Sequence, residues 1–302
     1  MTIEQRMRNL NPPQGMVDVV LDTDACNEID DQFAIAYLLR SDDRLRTKAI
    51  YAAPYCNRHC ASPKEGMENS FLEIQKVLQL LKVTMPSFRG AERYMENERT
   101  PVISSAAQDL AERAMQYSPQ TPLYVVAIGA ITNIASAILL NPKITENIVV
   151  VWLGGHARHY HDTLEFNMRQ DIFASRVVMG SGAPFVQLPC MGVVSGFQVS
   201  GPELALWLGG KNALCDYLVQ NTVATAESYA EGMAWSRVIW DVTAIAWLLN
   251  DQDCFMLSRI EPTWLCAYDK MYTINPNGTP MRYVYHIKRD ELLRDMIEKL
   301  TR

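Results

Sequence analysis

The chain has 302 residues, 48% of them hydrophobic, and a formal net charge of −6. A chain this long can bury a core that needs no disulfide staple, and an acidic balance without a basic run excludes the electrostatic footprint of a nucleic-acid or anionic-membrane binder. Seven cysteines, odd in number and scattered, point to reduced thiols and a cytoplasmic protein whose partner is a small molecule.

The first residues, MTIEQRMRNLNPPQG, lack the apolar core of a signal peptide, and the most apolar later run, Ile148 to Leu153, is too short to span a bilayer. In chain order, short apolar runs rich in β-branched residues predict strands at Val17 to Leu21, Ala49 to Ala53, Leu123 to Ile128, Ile148 to Leu153 and Phe185 to Leu188. Helical spacing of apolar residues predicts helices after Asp31, over Met67 to Leu81, Ser104 to Tyr117, Ile131 to Leu140 and Ile172 to Gly180, and later after Gly201 and Asp241. This alternation predicts one α/β domain over residues 1–302, with a mainly parallel (mixed) central sheet, helices on both faces, and a helical cap within Gly192 to Arg237. In such sheets ligands sit beyond the carboxyl ends of the strands.

One such end is dense in charge. Asp22, Asp24, Glu28, Asp30 and Asp31 place five carboxylates within ten residues of the first strand's end, where they repel one another unless a cation neutralises them. Oxygen donors without a His or Cys at ligand spacing suit Ca²⁺ or Mg²⁺. The alternative is that these aspartates only favour a helix N-terminus and a solvated turn. A phosphatase loop with Asp22 as nucleophile is a further alternative.

The segment LDTDACNEIDDQFAIAYLL, starting at Leu21, resembles the signature of the inosine-uridine preferring nucleoside hydrolase family, and four later segments resemble that family in the same order. These are YVVAIGAITNIASAILLNP, VVVWLGGH, EFNMRQDIFASRVVMGSG and IWDVTAIAWLL. The resemblance implies a calcium-dependent N-ribohydrolase that cuts ribonucleosides, works as a homodimer or homotetramer, and holds Ca²⁺ with Asp24, Asp31, Asp241 and the Ile128 carbonyl. It further implies Asp24 as general base, with Asp30, Asn57, Glu165 and Asn167 on the ribose. For Glu165, Asn167 and Asp241, helix capping is the alternative; for Asn57 it is an ordinary loop.

Two departures stand out. Asp24 to Asp30 is two residues longer than the family's usual Asp-Pro-Gly-x-Asp-Asp, with Ala25-Cys26 in place of Pro-Gly, which predicts a looser turn and leaves open whether Asp22, Asp24 or Glu28 faces the metal. Trp240 stands where many members carry a His that protonates the leaving base, and Trp has no such proton to give. An aromatic wall of Trp235, Trp240 and Tyr229 against the base, and an acid from His156, His159 or His161, are the candidate substitutes. A non-catalytic nucleoside- or ribose-binding homologue is the competing reading. As a zinc site the His156, His159 and His161 cluster lacks further ligands, although Cys56 and Cys60 flank His59 elsewhere in the chain.

Overall fold

The computed structural model describes residues 1–58, 60–275 and 278–302; His59, weighed above as a zinc ligand, lies outside the described residues. From the N-terminus the chain runs α1 (Ile3–Asn9), β1 (Val17–Thr23), α2 (Asp31–Leu39), β2 (Leu45–Ala52), α3 (Pro63–Leu81), β3 (Ser87–Arg89), α4 (Ser105–Arg113), β4 (Leu123–Ala127), α5 (Thr132–Leu140) and β5 (Ile148–Leu153). It continues through α6 (Phe166–Gln170), α7 (Ile172–Gly180), β6 (Phe185–Leu188), β7 (Gln198–Val199), α8 (Gly201–Trp207), α9 (Ala213–Ala230), β8 (Arg237–Val238) and α10 (Val242–Trp247). The C-terminal part adds β9 (Met256–Pro262), β10 (Trp264–Cys266), β11 (Tyr272–Ile274), β12 (Pro280–Ile287) and α11 (Arg289–Leu300).

Eight strands form one sheet in the order β3-β2-β1-β4-β5-β6-β12-β9. All neighbours are parallel except β9, which runs antiparallel to β12 at the edge. The mainly parallel, mixed sheet expected from the sequence is therefore the one formed. Because successive side chains point to opposite faces, Val19 and Leu21 of β1 enter one core with α2, α3, α9, α10 and α11, while Val20 enters the other with α4, α5 and α7. Every residue of β4 and β5 is buried, as a strand covered on both faces must be.

Helix α2 reads as apolar nearly all round because it is enclosed: Asp31 through Leu38 are all buried. Truncating a core residue such as Leu38 to Ala costs about 2–5 kcal/mol. The expected cap is α8 and α9 joined to a short antiparallel ribbon, β7 with β8. Among the described residues no helix is long and apolar enough to cross a membrane.

The order of strands reverses direction at β1, which pairs with β2 on one side and β4 on the other. That reversal opens a crevice at the carboxyl ends of β1 and β4, the place where open α/β sheets hold ligands. Asp24 follows β1 and Ile128 follows β4.

Candidate functional site

A cavity of about 150 Å³ opens at this crevice, lined in part by Asp24, Asp30, Asp31, Ile128, Glu165, Asn167, Trp240 and Asp241. These residues come from four separate stretches of sequence that converge on it. Asp30, Asp31 and Asp241 each offer a carboxylate oxygen within 4.8 Å of the others, and all three are buried. Asp30 was expected on the ribose, yet it stands inside this cluster. Asp24 lines the same cavity, is buried, and leaves its Oδ2 without a hydrogen-bond partner.

The bonds each side chain makes decide between capping and a place in the site. Asp30 and Asp241 occupy the N-cap positions of α2 and α10, and neither side chain makes a capping hydrogen bond. Their carboxylates are turned into the cluster instead. Glu165 behaves in the opposite way: it caps α6, accepting from the N–H of Asn167 at 2.8 Å and of Met168 at 2.9 Å, and also from Gly155 N–H at 2.9 Å. Its carboxylate thereby fixes the wall of the cavity, which Glu165 also lines, with about one of its four lone-pair sites unused by these bonds. Asn167 spends its Nδ2 on the carbonyls of Ile128 (3.1 Å) and Leu153 (3.0 Å), which leaves Oδ1 as its free acceptor.

Burial raises the affinity of these carboxyls for protons, since removing a charge from water disfavours the ionised form. It pushes Asp24, Asp30 and Asp241 well above the carboxylate range, with the neighbouring carboxylates adding to it. Asp31 is pushed up to about 7 by burial, against the hydrogen bond that Thr23 Oγ1 donates to it. Buried carboxylate oxygens with raised proton affinity and an orphaned Asp24 Oδ2 are a set that a divalent cation fits, because it offsets the repulsion with oxygen donors alone.

Of Asp22, Asp24 and Glu28, Asp24 and Glu28 line the cavity and Asp22 does not, although its Oδ2, like that of Asp24, is buried without a partner. Asp22 points away, its Oδ1 accepting from Asn133 Nδ2 at 2.7 Å. Glu28 is exposed at the rim and pairs with Arg237 at 2.7 Å. The expected looser turn is not found: Asn27 N–H closes on Asp24 O at 3.0 Å, and Cys26 takes φ +81°. That is the third position of a tight type II turn, where glycine is the usual residue, so Cys26 holds the glycine's conformation and the extra residues follow it.

Of the proposed aromatic wall, only Trp240 lines the cavity. Tyr229 is half exposed and bonds Arg237 at 3.0 Å, and Trp235 lies against Gly201. Of the three histidines, only His156 lines it; His161 is exposed on the surface beside Asp162. Asn57 lies one layer out, donating to Asn27 Oδ1 at 2.9 Å. Thr23 and Asn133 were not singled out by the sequence, although both sit in the quoted motifs. Asn133 ties Asp22 to the carbonyl of Ala52 (3.1 Å) and the N–H of Ala91 (2.8 Å).

The sequence model of the family described as "Inosine-uridine preferring nucleoside hydrolase" matches residues 19–280. No curated protein matches the chain. Among solved structures, a purine-preferring ribonucleoside hydrolase from Gardnerella vaginalis is similar at TM-score 0.75 and 18% identity, covering 94% of this chain and 98% of that one. An inosine-uridine preferring nucleoside hydrolase from Bacillus anthracis is similar at 0.73 and 17%, covering 95% and 99%. The type III effector protein XopQ complexed with adenosine diphosphate ribose is similar at 0.70 and 16%, covering 100% and 99%. At such identities the likeness to these structures carries the fold.

Proposed function

The chain belongs to the inosine-uridine preferring nucleoside hydrolase family and hydrolyses the N-glycosidic bond of ribonucleosides, and we propose how its cavity does so. Asp24, Asp31, Asp241 and the Ile128 carbonyl would hold Ca²⁺, with Asp30 beside them. The observation that carries this reading is the convergence of uncapped, buried carboxylates from separate segments on one crevice. When bound, the cation would lower the pKa of a nearby water and supply positive charge that favours oxygen donors.

The bond breaks through an oxocarbenium-like transition state. Asp24 accepts the proton of the water that attacks C1′, a role its unpartnered Oδ2 leaves it free to take. The surrounding carboxylates stabilise the positive charge that develops on the sugar. Asp30 and Asn167 Oδ1 accept from ribose hydroxyls, and Glu165 positions that wall through Gly155 and α6. Trp240 stacks on the base, so Trp240→Ala should raise KM by roughly 5-fold to 100-fold, as expected for loss of one base–aromatic stack; an unchanged KM would remove Trp240 from the base site.

Ribose specificity tests the proposal. Omitting the 2′-OH would leave Asp30 or Asn167 unpaired, which in sites of this kind costs roughly 10⁴-fold in kcat/KM. Inosine should be cut and 2′-deoxyinosine spared; equal rates would sink the diol-binding arrangement. A homodimer or homotetramer belongs to the same proposal and rests on the family resemblance, and a cytoplasmic location rests on the seven scattered cysteines. A second reading, a binding protein without turnover, is supported by Trp240 in place of an acid and by the similarity to an effector whose structure carries adenosine diphosphate ribose.

A further inference from the structure

The wall across from the carboxylates carries a histidine that the proposed reaction leaves idle. His156 follows the Gly154-Gly155 turn after β5, is half-buried, and lines the same cavity as Asp24, Asn167 and Trp240. Its Nδ1 is buried and has no hydrogen-bond partner. A buried polar atom left unpaired is costly, so it marks a place where a ligand atom is expected.

The residue is also held in place before any ligand arrives. Tyr272 Oη donates to the His156 carbonyl at 2.9 Å, and the Tyr160 ring packs on the imidazole with centroids 5.4 Å apart. The preceding Gly155 is fixed at φ +78° with its N–H on Glu165. Burial holds the imidazole below its ordinary pKa, against the pull of Asp162 upward and with the push of His161 downward. A neutral imidazole offers one donor and one acceptor, which is the pairing a hydroxyl group needs.

Which hydroxyl it meets follows from the strand order. Asp24 extends β1 and must reach the water beside C1′, while the 2′,3′-diol faces the aspartate cluster. The loops after β5 and β6 lie across β4 from Asp24, and they supply His156 and Met191. With the diol assigned to the aspartates and the base to Trp240 in the reading above, the C5′ arm is the part of the ribose left for that side. We infer that His156 hydrogen-bonds the 5′-hydroxyl of the ribose and is a specificity-determining residue of the site; this rests on the ribonucleoside reading above.

A cycle of two enzymes and two substrates tests it. Inosine and 5′-deoxyinosine are compared on the wild-type protein and on His156→Ala, with His156→Asn as the conservative variant. Wild type should lose about 10-fold to 100-fold in kcat/KM when the 5′-OH is removed, the range for a buried group left unpaired. His156→Ala should lose a similar factor on inosine and little more on 5′-deoxyinosine, because the two changes delete one interaction. His156→Asn should regain part of the loss on inosine only. Equal losses on both substrates, or no loss on either, would overturn the assignment. If wild type cuts neither nucleoside, the hydrolase reading fails by itself, and the same cycle measured as Kd by calorimetry still decides on His156.

Discussion

Asp24→Asn should lower kcat by about 10²-fold to 10⁴-fold, the range for loss of a positioned general base, and do so without unfolding the protein. The amide has nearly the same shape, and in the metal-free fold the Asp24 carboxyl is already held well above the carboxylate range by burial, then by Asp31, Asp30 and Glu28. A neutral side chain there removes repulsion, so the melting temperature in chelator should stay level or rise. Asp22→Asn is the control, since it makes the same charge change two residues earlier on a side chain turned toward Asn133. It should cost less than about 10-fold, the scale of one ordinary hydrogen bond. Wild-type turnover in Asp24→Asn would refute Asp24 as the base, and equal losses in both variants would show that charge in the loop, and not direction, decides.

Calcium should stabilise the protein, and by more as pH rises. The sign follows from the protons. With the unfolded aspartate pKa near 3.9 and the folded values raised, Asp31 to about 7 and Asp24, Asp30 and Asp241 well above the ordinary range, the folded state holds more protons than the unfolded one. The stability these groups contribute is therefore complete below about pH 4 and is lost as pH rises through about 7. The chelated protein should melt at progressively lower temperature from pH 5 to pH 8. Calcium competes with those same protons, so its stabilisation grows over that interval. At a concentration of 100 times its Kd the gain is about 2.7 kcal/mol, or roughly 4 °C in a chain of this size. Melting curves with excess EGTA and with excess Ca²⁺ at both pH values measure this; coincident curves at pH 8 would count against a calcium site.

Much of this site was legible before folding. The acid loop was readable because five carboxylates crowded between an apolar strand and an apolar helix repel one another unless a cation sits among them, and the sheet because its buried strands are continuous apolar runs. Side-chain direction was not readable. Asp30, Asp241 and Glu165 all sit at helix N-caps, and only geometry separates the first two, which turn inward, from Glu165, which caps. The turn at Cys26 misled because composition favours glycine at positive φ, whereas the surrounding bonds impose that conformation on a cysteine. Beyond Met256 the local pattern says less. Leu292, Leu293, Met296 and Leu300 recur at helical spacing in α11, but the β9 and β12 pairing joins segments separated by a second small sheet, a distance no local pattern encodes.

His156 and Trp240 show the same division. The sequence placed the histidine cluster near the mouth of the site and Trp240 before the late aspartate, and His156 and Trp240 both line the cavity. It could not say that one of three clustered histidines faces inward with an unpaired nitrogen, because that depends on how Gly155, Tyr160 and Tyr272 hold the loop.

The most direct measurement is free ribose released from a panel of purine and pyrimidine ribonucleosides by protein first stripped with chelator and then titrated with Ca²⁺. Ribose release that is absent after stripping and restored by calcium is the expected result; no ribose from any nucleoside, by protein shown to have bound calcium, would contradict it.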